Sequence, residues 1–270
     1  MKRLISLLLA GALVAPVLAF ASGLQVMPTR LEVNAGSIAS LTVSNGSDAP
    51  ISVQARAVHW QQTEPAGRDQ MQDEASDLIW YPKIFTVPPG GQQVVRIGSK
   101  TPVGETERAY RLFIREVPVS PEGQTANMFA IRMSIPVFLA PTEGVEPVAP
   151  TILAVKQDGK QLVAQVKNDN NRFLMMHPLE VHGVNSDGTD AFSRDARGWY
   201  VLSGVTRQFD LGITAAECQS LGQLRLVARS KAGDSEASFP VDSAWCMSLE
   251  SDDTDTDVVD AIAEAGNASE

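Results

Sequence analysis

What most constrains this chain is a succession of short strand-like runs, broken by turn residues and never replaced by a long helical period. Ile38-Ala39-Ser40-Leu41-Thr42-Val43-Ser44 alternates and then stops at Asn45-Gly46-Ser47-Asp48-Ala49-Pro50. Ile51 to Trp60 resumes the pattern, with Val53, Ala55, Ala57 and His59 predicted on one side. Lys83 to Val87 runs into Pro88-Pro89-Gly90-Gly91, and Gln92 to Ile97, Tyr110 to Val117 and Met128 to Leu139 follow as further strands. Period-two runs at this spacing read as an antiparallel β-sandwich. The polar stretch Thr63 to Ala75 reads as a loop.

The rhythm breaks once. Ala140-Pro141-Thr142-Glu143-Gly144-Val145-Glu146-Pro147 is Pro-rich and aperiodic, as an interdomain linker would be. It then restarts, with candidate strands at Leu162 to Val166, Leu179 to Val184, Gly198 to Leu202, Arg207 to Leu211 and Leu224 to Ala228. Gly159, Asp187-Gly188 and Ala232-Gly233 mark turns. The expected organisation is all-β, with sandwich domains at 22–141 and 148–247 joined by a linker at 142–147.

Both ends read differently from the middle. Met1-Lys2-Arg3, an apolar stretch from Leu4 to Leu18, and Ala19-Phe20-Ala21 have the order of a secretory signal peptide, placing cleavage after Ala21. A membrane anchor fits less well, because Pro16 interrupts a run already short for a spanning helix. No later run is apolar for long enough to insert in a bilayer. Ser248 to Glu270 holds eight acids and no Lys or Arg, the composition of a disordered tail. Without the two ends, acids fall from 32 to 24 and Lys plus Arg from 22 to 20, so net charge moves from −10 to −4. That balance offers no basic face for nucleic acid.

In an exported chain, Cys218 and Cys246 are expected to pair, closing a loop worth roughly 3–4 kcal/mol. A redox or metal pair is poor at this spacing. The three histidines do not make a site. His177 and His182 are five apart, facing opposite ways on one strand, and His59 beside Trp60 reads as packed at a strand end. There is no nucleophile elbow, phosphate loop or HExxH pattern, so neither an enzyme nor a cofactor is expected.

Four segments taken in order carry a resemblance. They are Pro28-Thr29-Arg30; Ile84-Phe85-Thr86-Val87-Pro88-Pro89-Gly90 with Val94-Val95-Arg96-Ile97; Tyr110-Arg111-Leu112-Phe113-Ile114-Arg115-Glu116-Val117-Pro118; and Ile135-Pro136-Val137-Phe138-Leu139-Ala140-Pro141. Together they resemble the periplasmic pilus (fimbrial) chaperones of the chaperone–usher pathway, with the archaic branch the nearer match. The likeness covers about Leu24 to Pro141 and is weaker from Gly198 to Arg207. It implies two immunoglobulin-like domains in a boomerang, a periplasmic location, pilin subunits as partners and delivery to an outer-membrane usher. It also implies donor-strand complementation, in which the chaperone lends a strand to an incomplete pilin sandwich.

On this resemblance the donor strand is Asn127 to Val137, with Phe129, Ile131, Met133 and Ile135 on one face. Each large side chain entering a groove would contribute roughly 2 kcal/mol before ordering costs. Periodicity alone equally allows an ordinary core strand. Arg30 takes the place of the family's anchor for the subunit's terminal carboxylate, which a planar guanidinium suits. The family's second cation, a Lys on the donor strand, falls on Pro136 here, which has neither charge nor N–H. Arg111 is the candidate replacement and Arg96 the fallback. Glu116 could serve an interdomain ionic contact, but its usual Arg partner is Ala140. An exposed apolar edge also invites a self-capping dimer. The rival reading is a secreted immunoglobulin-like adhesive or structural module, which would need neither Arg30 nor an open donor strand.

Overall fold

The computed structural model describes residues 23–64, 66–117 and 130–249. The signal-peptide and acidic-tail expectations, and Phe129 with the first residues of the expected donor strand, lie outside these.

The first domain opens with β1 (Leu24–Met27) and β2 (Leu31–Val33), two halves of one segment that join different sheets. The break falls at Pro28, which has no N–H to continue a ladder. There follow β3 (Ile38–Asn45), β4 (Ile51–Thr63), β5 (Arg68–Glu74), β6 (Leu78–Tyr81), β7 (Ile84–Val87), β8 (Gln92–Ser99), β9 (Arg108–Glu116) and β10 (Arg132–Leu139). One sheet runs β1-β3-β8-β6; the other runs β2-β10-β9-β4-β5, with β7 on the first half of β4. Alternate residues of both sheets fill the core between them. Val43, Val53, Ile97, Leu112 and Ile114 are among those closed from solvent. Val53, Ala55 and Ala57 point inward as the period predicts, and His59 ends that row half-buried against Tyr110.

One expectation fails. The polar stretch read as a loop contains β5, which pairs with the far half of β4 from Val58 to Thr63. A strand nearly all exposed and at a sheet edge needs no apolar row, so its sequence carries no period-two signal.

The second domain comprises β11 (Thr151–Asp158), β12 (Gln161–Lys167), β13 (Leu174–Met175), β14 (Leu179–Asn185), β15 (Asp190–Ala196), β16 (Tyr200–Val201), β17 (Thr206–Asp210), α1 (Ala215–Ser220), β18 (Leu221–Ser230), β19 (Gly233–Pro240) and α2 (Ser243–Leu249). Its sheets are β11-β12-β17, the short β13-β16 pair, and β15-β14-β18-β19. Cys218 on α1 and Cys246 on α2 form the expected disulfide, with Cα atoms 5.3 Å apart. Thr214 and Glu217 cap α1 reciprocally, which is how so short a helix is held. The sequence reading missed β11, β15 and β19, whose exposed edge positions are mostly polar, and both helices, which are too short to show a period.

Buried asparagines act as staples, Asn45 in the first domain and Asn168 and Asn170 in the second. Asn45 donates to the carbonyls of Ala49, Val87 and Pro88, and Asn168 to those of Arg172, Val201 and Leu202. Asn170 adds bonds to both backbone groups of Val148. The start of the second domain is thereby fixed to the 168–173 loop, and Asn171 Nδ2, donating to the Glu143 carbonyl at 2.9 Å, ties the linker to the same loop.

Candidate functional site

The groups with most chemistry sit where the two domains meet. On β4 the inward row is Val53, Ala55 and Ala57, so Val58, Trp60 and Gln62 belong to the outer face. In a solitary sandwich that face would be wet; here all three are buried, Trp60 and Gln62 against the second domain. The same holds for Arg111 on β9 and Phe138 on β10. Phe138 stacks on Phe173 with ring centres 3.8 Å apart, and Tyr200 packs edge-on to Trp60 at 5.4 Å.

Arg111 is 6 % exposed, its guanidinium carbon 3.7 Å from the centre of the Trp60 ring and 5.7 Å from that of Trp199. Burial pulls its pKa below the usual arginine value, partly offset by Asp69 and Tyr200. A desolvated cation on an indole face is worth about 2 kcal/mol.

Asp69, on β5, closes this joint. Its Oδ1 accepts from Trp60 Nε1 at 3.1 Å, Gln62 Nε2 at 2.8 Å and Arg207 Nη1 at 3.1 Å, and its Oδ2 from Trp199 Nε1 at 2.8 Å. Gln62 continues the network, accepting from the Leu202 amide and donating to the Tyr200 carbonyl, each at 2.9 Å. At the hairpin tip, Gly67 holds φ +61°, and a Cβ there would lie 2.7 Å from Arg207 Cα. Only glycine meets both demands. Among the described residues Glu116 forms no ion pair; the interdomain ionic contacts are Asp69–Arg207 at 3.1 Å and the more exposed Arg68–Asp158 at 3.8 Å.

Beside this joint lies an interdomain cavity of about 360 Å³, lined by Arg30, Glu32 and Glu107 from the first domain and Arg172, Phe173 and Lys231 from the second. Arg30 pairs with Glu32 at 3.1 Å and lies over the Phe173 ring at 5.4 Å. Glu107 Oε1 accepts the Phe173 amide at 2.9 Å, and the Glu107 amide donates to the Asn171 carbonyl at 2.9 Å. Burial pushes the Glu107 carboxyl up to about 8; Glu32 adds to the shift, while the Phe173 amide and Arg172 oppose it.

The expected site residues separate. Arg30 alone of the three arginines lines the cavity. Arg111 neighbours the expected donor strand, directly opposite Pro136, but is enclosed by aromatics. Arg96 is exposed on β8, in the other sheet. Ile135 is 4 % exposed within its own domain's core, and Ile131 and Met133 pack against that core half-buried. Residues 132–136 pair with β9 on one side, whereas β2 covers only Val137 to Leu139 on the other. Among the described residues, no strand pairs with 132–136 along that margin. The sequence reading missed Asp69, Glu107, Arg172 and Trp199. Asp69 sat in the presumed loop, and the others have meaning only once two domains are docked. No cluster of metal-ligating side chains occurs among the described residues.

Residues 23–144 match the family described as pili and flagellar-assembly chaperone, PapD N-terminal domain. No curated protein sequence matches the chain. Among solved structures, a chain of the CsuC–CsuE chaperone–tip adhesion subunit pre-assembly complex, from archaic chaperone–usher Csu pili of Acinetobacter baumannii, superposes with TM-score 0.57 at 18% identity. That match covers 80% of this chain and 97% of the other. A chain of the Salmonella enterica SafA pilin–SafB chaperone complex gives 0.52 at 18% identity, covering 82% and 97%. The E. coli chaperone DraB gives 0.51 at 18% identity, covering 82% and 98%. At these identities the structural likeness speaks for the fold. Residues 23–144 therefore form a domain of the family described as pili and flagellar-assembly chaperone, PapD N-terminal domain.

Proposed function

We propose that this chain is a periplasmic chaperone that holds pilus subunits by lending them its donor strand, Asn127 to Val137, and passes them to an outer-membrane usher. The observation that carries this reading is the margin of β10 over 132–136, which no strand covers among the described residues and which has an apolar row beside it. A subunit strand pairing there would continue the same sheet. The row formed by Phe129, Ile131 and Met133 would then enter the subunit's groove, while Ile135 seats the strand in the chaperone. Arg30 anchors the subunit's terminal carboxylate; its present partner Glu32 is half exposed, so exchanging one carboxylate for another costs little. Arg111, opposite Pro136, braces the strand from behind. The structures of CsuC with CsuE and of SafB with SafA join chaperones to subunits, in line with this role.

The test is co-purification from periplasmic extract with a co-expressed pilin, comparing the parent with Arg30→Ala and Ile131→Asp. Capture by the parent and loss in both variants is the expected result. Equal capture by all three would overturn the strand and anchor assignments. A parent that captures no subunit would favour an adhesive module.

A further inference from the structure

Glu107 immediately precedes β9 and is bound across the domain boundary at two points. Its Oε1 accepts the Phe173 amide at 2.9 Å, and its own amide donates to the Asn171 carbonyl at 2.9 Å. Asn171 Nδ2 in turn donates to the Glu105 carbonyl at 2.8 Å. The Glu107 side chain lines the cavity beside Arg30 and also a second one, of about 340 Å³, whose walls include His59 from the first domain and Leu202 and Ser203 from the second. Both cavities are bounded by both domains.

The cations around Glu107 are turned to other partners, and it forms no ion pair among the described residues. Arg30 is paired with Glu32. Arg108, next along the chain, is spent on Asp77 and on the carbonyls of Thr101 and Pro102. Arg172 points its guanidinium at the linker beside Gly144. His59 lies 3.4 Å from Asp77. His177 and Lys231 line the first cavity only. Burial therefore dominates, and the carboxyl is pushed up to about 8. Asp69, the other acid at the heart of the joint, has Arg207 at 3.1 Å, so its charge is matched in place.

We propose that Glu107 makes docking of the two domains proton-linked: neutral, it stitches the 171–173 loop to the first domain, and ionised, it draws solvent in through the two cavities and opens the joint there. The neutral carboxyl keeps the Phe173 bond through its carbonyl oxygen and gives up no hydration of charge. The carboxylate regains that hydration only when the domains part. Each sandwich has its own core, so this is a movement of folded domains and not an unfolding. Arg30 and Phe173 face each other from opposite domains, so the width of the cleft follows the proton. The movement needs no bound subunit.

The full chain would carry spin labels at Gln92→Cys and Gln223→Cys, exposed positions in different domains. Cys218 and Cys246 are paired and take no label. Double electron–electron resonance then reads the interdomain distance from pH 5 to pH 9. The expected result is one narrow distribution at low pH and a growing longer component as pH rises. One proton is released on opening, so the open-to-closed ratio should climb by up to about tenfold per pH unit. Glu107→Gln, neutral throughout and still able to accept the Phe173 amide, should stay narrow at every pH. In the parent, the Glu107 carboxyl carbon, assigned by its loss in that variant, should titrate well above the ordinary 4.5. A parent distribution that does not change with pH overturns the proposal. So does the same broadening in Glu107→Gln, which would assign the movement to His59 or His177. A carboxyl carbon titrating at the ordinary value overturns it without any variant that must fold.

Discussion

Trp199 Nε1 donates to Asp69 Oδ2 across the domain boundary at 2.8 Å, joining an indole of the second sandwich to a carboxylate on a hairpin of the first. Four donors converge on that one side chain. Two come from the first domain, Trp60 and Gln62, and two from the second, Trp199 and Arg207. The angle between the sandwiches is therefore held by hydrogen bonds of defined direction, and not by apolar contact alone.

Asp69→Ala removes the acceptor common to those donors. We expect a loss of about 2–3 kcal/mol in thermal or urea unfolding, because buried donors are left unpaired. Hydrogen exchange should rise at the amides of Leu202 and Gln208, which bond across the boundary to Gln62 and Ala66. Unchanged exchange at both would show that the joint does not depend on Asp69.

Gly67→Ala tests the same joint by crowding. A methyl at φ +61° would meet Arg207 Cα and the Thr206 carbonyl, each at 2.7 Å. Backbone atoms cannot rotate away, so the hairpin tip must lift. The first domain should keep its own unfolding midpoint while small-angle scattering reports a wider distribution of interdomain distances.

Arg111→Lys should destabilise by about 1–2 kcal/mol, although charge is kept. A compact ammonium lacks the flat face that lies on Trp60 at 3.7 Å. Equal stability of parent and variant would mean that charge, not stacking, matters there.

Glu107 gives the joint a pH dependence. Its folded pKa, about 8, stands above the ordinary 4.5, so folding retains a proton that the unfolded chain gives up. The contribution is full below about pH 4.5 and is lost as pH rises through about 8. Glu107→Gln should flatten the fall in unfolding midpoint between these limits. A fall of the same size in the variant would assign it to other groups.

Asp77 works in the opposite sense. Burial disfavours its charge, but the Tyr110 hydroxyl, its own backbone amide, His59 and Arg108 together hold its carboxyl below the ordinary 3.8. Its stabilisation is present above that value and is lost as pH falls through the folded pKa. Asp77→Asn should cost about 1–3 kcal/mol near neutrality and make the acid side of the stability profile shallower, as followed by circular dichroism.

The sandwich architecture was legible because core strands of both domains announce themselves by alternation: Val53, Ala55 and Ala57 needed no partner to be placed. β5 was not legible, since an exposed edge strand is chosen for solubility and its residues 68–74 look like any polar loop. Arg30 was found through its motif and does line the cleft. Arg172 follows an Asn-rich turn that carries no period, and nothing local says it faces another domain. Arg111 was expected beside the donor strand and is there, but its enclosure by Trp60, Trp199 and Tyr200 depends on side chains almost 90 positions away in part. Long-range burial of a sheet's outer face is the information a linear reading lacks.

β4 has a final consequence. Its odd-numbered residues from Ile51 to Ala57 build one domain's interior, and its even-numbered residues Trp60 and Gln62 build the seat of the other domain. The two duties share one unbroken phase along a single segment, so neither can move by one position without exchanging faces. Substitutions can be absorbed one at a time, each on its own side. A change of length cannot: deleting one residue before Val58 would turn Trp60 into the interior and aim a core side chain at the second domain. For this strand, counting matters more than chemistry.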